Sequence, residues 1–241
     1  MVIEVYLTPQ EFTSEDLKDK IAVVIDVLRA STTITTALYH GCKQIIPVAE
    51  VEAAMNLAAN MPRDTRLLGG EREGKKIPGF DLGNSPTEYT PELVSNKTLI
   101  FTTTNGTKLL SKTPKALKTL VASLVNIEQI CQHVIAHPET DLGILCAGKL
   151  NRFSLEDAVC AGLLVTLLGR HFGESLKLTD AARAAELLYQ KYTDNFLEML
   201  QQSQHGKYLI EIGMGNDLEV CARVNSIPIV PCFKEGIITP I

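Results

Sequence analysis

No two of the six cysteines form a CxxC pair; Cys42, Cys131, Cys146, Cys160, Cys221 and Cys232 are scattered along the 241 residues. That scatter argues against a zinc site and against a disulfide framework, and it predicts reduced thiols in a cytoplasmic protein. Basic charge is not in excess. The net charge is −5, which argues against a nucleic-acid partner, because phosphate backbones are held by surplus Lys and Arg. No apolar run is long enough to cross a bilayer. The longest, residues 158–169, lies between Asp157 and Arg170 and is expected to be a buried helix of a soluble chain with no membrane partner. Residues 1–6 have neither a basic stretch nor a long apolar core, so no secretory signal is expected. Strong repeats, low-complexity tracts and Pro/Gly/Ser-rich linkers are also missing, so residues 1–241 are expected to form a single domain.

What is present is ordinary globular material: 45% hydrophobic and 21% charged residues, enough to fill a sizeable core. Strand-like runs at 2–7, 21–28, 45–49, 65–68, 98–102, 120–125, 142–146 and 227–231 alternate with helix-like stretches at 30–40, 51–61, 106–110, 127–137, 155–171, 181–202 and 218–225. Residues 21–28 are a continuous apolar run, as a central parallel strand buried on both faces requires. The alternation predicts an α/β fold, a three-layer α/β/α arrangement with a largely parallel central sheet. Residues 69–86 are expected to be a long irregular loop, which in a compact domain is usually functional.

In such sheets ligands bind beyond the carboxyl ends of the strands, and polar segments follow several of them. Asp26-Val-Leu-Arg29-Ala-Ser31-Thr32-Thr33 reads as an anion site. Unpaired helix-start N–H groups, hydroxyls and a forked guanidinium all favour phosphate, although Ser31 or Thr32 can equally be a plain helix cap. Gly70-Glu71-Arg72 and Gly79-Phe-Asp81-Leu-Gly-Asn84-Ser-Pro86 place flexible backbone beside acids. Glu71 and Asp81 are hard oxygen donors suited to Mg²⁺, or else solvated loop carboxylates. Thr103-Thr-Asn105-Gly106-Thr107 is a turn whose hydroxyls and N–H groups can line an anion pocket. Ser154-Leu-Glu156-Asp157 is a capping-box pattern, yet the same acids can face a shared metal. His205 is either a proton donor or a surface histidine at a helix end. Two phosphatase designs can be compared with these segments. Asp26-Val27-Leu28 lacks the second acid of the haloacid-dehalogenase type. Cys146 and Arg152 do share the spacing of cysteine phosphatases, with a thiol as nucleophile.

Taken in order, these segments, with Cys146-Ala-Gly148, Phe153-Ser-Leu-Glu-Asp157 and Asp217-Leu-Glu-Val-Cys-Ala222, resemble the 2-phosphosulfolactate phosphatase family. The match runs from residue 26 to 222. The resemblance implies an α/β fold, Mg²⁺, and hydrolysis of (R)-2-phospho-3-sulfolactate to 3-sulfolactate and phosphate in coenzyme M synthesis. Our expected metal ligands are Asp26, Glu71, Glu156 and Asp157. Arg29 and Arg72 are expected to hold and stabilise the phosphoryl group, joined in substrate binding by Ser31, Thr32, Thr33, Asn105, Gly106, Thr107 and Arg152. Attack by a phosphocysteine-forming Cys146 is the alternative mechanism. Another small phosphorylated hydroxy acid is the alternative substrate, and a non-enzymatic binder of a small anion is the alternative function. An apolar stripe on the helix expected at 181–202, widened by Tyr189, Tyr192 and Met199, suggests a homodimer.

Overall fold

The computed structural model describes residues 1–193 and 195–241. Its first half contains β1 (Val2–Tyr6), β2 (Ile21–Ile25), α1 (Ala30–Tyr39), β3 (Gln44–Pro47), α2 (Val51–Ala59), β4 (Arg66–Arg72), β5 (Lys75–Lys76), α3 (Pro91–Val94), β6 (Thr98–Thr102) and α4 (Gly106–Leu110). Then come β7 (Lys118–Ala122), α5 (Ile127–Ile135), β8 (Leu142–Cys146), α6 (Leu155–Phe172), β9 (Lys177–Leu178), α7 (Asp180–Lys191), α8 (Phe196–Gln202), α9 (Gln204–Glu211), α10 (Asp217–Cys221), β10 (Pro231–Lys234) and β11 (Ile237–Pro240).

The strands form one sheet in the order β5-β4-β6-β3-β11-β10-β7-β2-β8-β1-β9. It contains two parallel blocks. One is β7-β2-β8-β1-β9; the other is β4-β6-β3. Between them lies the β10–β11 hairpin, antiparallel within itself and to both neighbours. The strand expected at 227–231 begins only at Pro231. Residues before it hydrogen-bond elsewhere, as when Ile227 N donates to Val125 O at 2.9 Å. The hairpin turns through Glu235 and Gly236, both at positive φ, the backbone signature of a tight two-residue hairpin turn.

Because each junction is antiparallel, the two blocks run in opposite senses along the sheet. Sheet twist of about 20–25° per step accumulates to roughly 100–125° over the five steps from β6 to β2. The carboxyl ends of β2, β4 and β6 consequently meet at one cavity. One sheet face carries a continuous apolar cluster that includes α1 residues Ile34 and Ala37, β2 residues Ala22 and Val24, and β6 residues Leu99 and Phe101. The opposite face carries two clusters, a large one under α5, α6 and α7 and a small one in which α2 covers Leu68 and Ile100. These are the three layers expected. No helix among the described residues is long and apolar enough to cross a membrane.

Three local expectations change. Residues 69–72 are strand rather than loop, since Gly69 and Gly70 pair with Phe101 and Thr102. The helix expected at 181–202, part of which (Asp194) lies outside the described residues, is two helices. α7 ends at Lys191, and Asn195 caps α8 by accepting from Glu198 N at 3.0 Å. Its apolar stripe is largely spent inside the chain: Tyr189, Met199 and Leu200 are buried, and Tyr192, Phe196 and Leu197 pack on the same core. Leu187 alone of the expected stripe is largely exposed, at 65%, so most of the stripe on which the homodimer expectation rested packs within the chain. Finally, His205 sits in the N-terminal first turn of α9 rather than at the C-terminal end of a helix.

Gly162 lies where α6 crosses α7. A Cβ placed there would stand 1.9 Å from the Ala185 carbonyl oxygen, so any larger residue must push the helices apart. Gly162→Ala is expected to lower stability by about 1–3 kcal/mol. Urea unfolding should show this as a lower midpoint at unchanged slope; an unchanged midpoint would show that the crossing has slack.

Candidate active site

Asp26 follows the last residue of β2 and folds back over the start of α1. Its Oδ1 accepts from Ala30 N at 3.1 Å, and its main chain bonds reciprocally with Ser31, whose Oγ accepts from Asp26 N at 3.0 Å. A carboxylate is favoured there by the unpaired N–H groups of the helix start. This capping also answers the anion-site expectation for α1. The Ser31 hydroxyl accepts from Asp26 N, that of Thr32 donates to Val27 O, and that of Thr33 donates to Asn84 O. All three serve backbone groups and face the interior.

The other carboxyl oxygen, Asp26 Oδ2, accepts no hydrogen bond from a described residue. It lies under α4, where a Cβ on Gly106 would come within 2.7 Å of it; the missing side chain of Gly106 is what lets the two loops approach. Burial pushes the Asp26 carboxyl up to about 6; His205 and the Ala30 N–H act against this, while Glu71 and Glu156 add to it.

Three further acids were expected to join Asp26. Glu156, in the first turn of α6, is 2% exposed and accepts no hydrogen bond from a described residue. The His205 ring faces it, with Nδ1 3.5 Å from Oε1. Asp157 is committed differently: Oδ1 accepts from Val27 N and Oδ2 from Gly148 N, each at 2.9 Å. It ties the β2–α1 loop to the β8–α6 loop. Burial, Glu156 and Asp26 push its carboxyl well up, and the two N–H donors pull the other way. Glu71 clamps the loop ends, accepting from Thr104 N at 2.7 Å and Gly74 N at 2.8 Å. Asp81 lies away from this cavity, gripped by Arg63 and by Leu68 N.

These segments enclose a cavity of about 570 Å³, within the usual range for small-molecule sites. Arg29 borders it with its charge already matched. Nη1 donates to Asp217 Oδ2 at 2.6 Å and Nη2 to Gly74 O at 2.7 Å, and Ser85 Oγ donates to the other oxygen of Asp217 at 2.5 Å. Arg72 also borders it, braced by Glu71 O, Ala49 O and Thr102 Oγ1. All three are uncharged acceptors, so its positive charge is matched by no carboxylate among the described residues. Lys149 is in the same position, its Nζ 4.0 Å from the centre of the Tyr208 ring. Asn105 lines the wall, whereas Thr107 is closed in reciprocal bonds with Thr103.

Cys146 does not border the cavity. It is 0% exposed, and burial pushes its thiol well up, the reverse of what a thiolate nucleophile needs. Arg152 is exposed and does not line the cavity, its main chain bridged to Lys149. Other residues that line the cavity or stand behind its wall carry no role in the sequence reading. Asn84, in the Gly-Asn-Ser-Pro turn, borders the cavity and keeps a buried Oδ1 with no hydrogen-bond partner. Asp217 belonged to a segment carrying the family resemblance, but nothing local to it marks a bond to residue 29. Lys149 and Tyr208 come from loops with no shared motif.

The cavity thus brings together an Asp26 oxygen that lacks a donor, with Glu156 behind the His205 wall, and cations that lack carboxylates among the described residues. Such a combination has the chemistry to suit a divalent cation and an anionic ligand together.

Comparison with known proteins covers nearly the whole chain. A family profile described as 2-phosphosulpholactate phosphatase matches residues 6–236. A "Probable 2-phosphosulfolactate phosphatase" of Caldanaerobacter subterraneus subsp. tengcongensis is 41% identical over 238 residues, covering 99% of this chain and 98% of its own length. Proteins with the same description from Clostridium tetani and Symbiobacterium thermophilum are 38% and 40% identical, over 99% and 92% of this chain and 100% and 95% of their own lengths.

Proposed function

Since the chain belongs to the 2-phosphosulpholactate phosphatase family, we propose that it hydrolyses 2-phospho-3-sulfolactate to 3-sulfolactate and inorganic phosphate, as a step of coenzyme M synthesis, with Mg²⁺ as cofactor. Water supplies the oxygen added to phosphorus; the P–O bond to the hydroxy acid breaks, and the leaving alkoxide takes a proton. The observation that carries this reading is the charge mismatch in the cavity. Asp26 Oδ2 and the Glu156 carboxylate, on residues only 6% and 2% exposed, accept no hydrogen bond from a described residue, and Arg72 and Lys149 have no carboxylate partner among the described residues.

The donor set fits Mg²⁺. No group of three or more acid, His or Cys side chains among the described residues forms a ready-made cage. Mg²⁺ is commonly held by one or two carboxylates, with waters and substrate phosphate completing its shell. Asp26 and Glu156 would hold it, and Glu71 and Asp157 would fix the loops that present them. When bound, Mg²⁺ polarises a phosphoryl group and neutralises its charge. Arg72 supplies preorganised donors for the phosphate oxygens. Asp217 and Gly74 O hold the Arg29 guanidinium at the cavity wall, so that it needs no reorganisation when substrate arrives.

Phosphate release from 2-phospho-3-sulfolactate tests this reading. Activity should vanish with EDTA and return with added Mg²⁺. Iodoacetamide on the native protein and Cys146→Ala should both leave it nearly intact, because the thiol is buried and protonated. Activity that survives EDTA but not Cys146→Ala would transfer the mechanism to a phosphocysteine. Tight binding of the ester with no phosphate release would make the protein a binder.

A further inference from the structure

The cavity has two cations, Arg72 and Lys149, without carboxylate partners among the described residues, and they come from different parts of the chain. Arg72 ends β4, and three uncharged acceptors hold its guanidinium in a fixed orientation. Lys149 lies in the loop after β8. Its ammonium rests on the face of Tyr208, on α9, and the Tyr208 hydroxyl is anchored in turn by donating to Glu73 O at 2.8 Å. An aromatic face attracts a cation but does not neutralise it, so the charge remains available to a ligand.

The loop that carries Lys149 is built as a rigid presenter. Lys149 N donates to Arg152 O and Arg152 N to Lys149 O, each at 3.0 Å. Leu150 and Asn151 between them both have positive φ, a turn geometry that Asn tolerates and Leu adopts only under constraint. Gly148 precedes the turn, and its N–H is fixed by Asp157. Lys149 is thereby linked, through one carboxylate, to the same loop that carries Asp26. Desolvation lowers the Lys149 pKa while Glu156 and Glu211 favour its charged form, which is consistent with a semi-enclosed ammonium.

Resting on the function proposed above, we infer that Lys149, seated on Tyr208, reads the sulfonate of the substrate, and so sets specificity between sulfonated and unsulfonated phosphoesters. Arg72 and the carboxylate pair serve the phosphate that every substrate shares. A compact ammonium suits a tetrahedral sulfonate, which needs a point charge more than a planar fork.

The experiment compares 2-phospho-3-sulfolactate with 2-phospholactate, which keeps the phosphoester and carboxylate but lacks the sulfonate. Lys149→Met should raise KM for the sulfonated ester about 10–100-fold, as loss of a charge-assisted contact does. KM for 2-phospholactate and kcat for both should stay within about threefold of the parent. Lys149→Arg should recover much of the lost preference, and Tyr208→Leu should lose part of it, because the cation's seat is gone. An equal loss on both esters would place Lys149 on the phosphate or the carboxylate, which the two share, and overturn the inference. An unchanged preference in a variant with parental circular dichroism would overturn it too. A parent enzyme that releases phosphate from neither ester would instead overturn the proposed function, and this inference with it.

Discussion

Asp26→Asn is expected to reduce phosphate release about 10²–10³-fold, the usual cost of removing one preorganised electrostatic group from a reaction centre, without loss of fold. The Asn side chain retains an oxygen to accept from Ala30 N, where Asp26 Oδ1 now accepts at 3.1 Å, so the start of α1 stays capped. What disappears is the charge on the oxygen beneath Gly106. That charge is costly to the fold: burial raises the Asp26 pKa to about 6, and Glu71 and Glu156 add to the strain. For an acid whose folded pKa lies above its ordinary value near 4, the folded state prefers the protonated form. The metal-free parent therefore loses stability as pH rises from about 4 through 6, while the Asn variant does not. Thermal melts in EDTA should show the variant equal to the parent near pH 4 and more stable at pH 7. A variant less stable than the parent at pH 7 would mean that the charge is satisfied within the protein, and the metal reading would lose its main support.

The segments that build the cavity were legible in the sequence because each is local. A strand ends, and a polar run with Gly, Asn or an acid follows. The orientation of side chains within those runs was not legible. Ser31, Thr32 and Thr33 look like phosphate ligands, but a buried helix start must first satisfy its own backbone, and their hydroxyls do that. Asp157 looks like a twin of Glu156, yet one step along a helix turns a side chain by roughly 100°, and that step places Asp157 on two backbone N–H groups instead of the cavity. The parallel strands were visible from their apolar runs. The hairpin dividing them was not, because the apolar residues at 227–230 imitate a strand that begins only at Pro231. Its presence reverses one block against the other and leaves sheet twist to bring the strand ends together. Long-range pairings were the least accessible. Lys149 and Tyr208 meet only because α9 folds over the β8–α6 loop.

The pair Arg29–Asp217 is the sharpest of these and carries the largest expected effect on stability. Both side chains are nearly inaccessible, 2% and 4% exposed, and they meet at 2.6 Å. Ser85 Oγ and Gly74 O complete the network, so a partner is present for each group whose desolvation would otherwise be unfavourable. Asp217→Leu removes one charge and strands the other. A buried unpaired guanidinium costs about 3–5 kcal/mol, which for a chain of this size lowers Tm by roughly 6–20 °C. Arg29→Met in the same chain removes the stranded charge. The double variant should therefore recover most of the lost stability, as apolar replacements of buried ion pairs often do, while remaining inactive for want of the guanidinium at the cavity wall. Differential scanning calorimetry and phosphate release on the two single variants and the double variant separate these effects. If Asp217→Leu alone melted with the parent, Arg29 would have to find another acceptor, and the pair would not be what holds α10 against the β2–α1 loop. If the double variant recovered activity along with stability, Arg29 would have no part in binding the substrate and its place at the cavity would be structural.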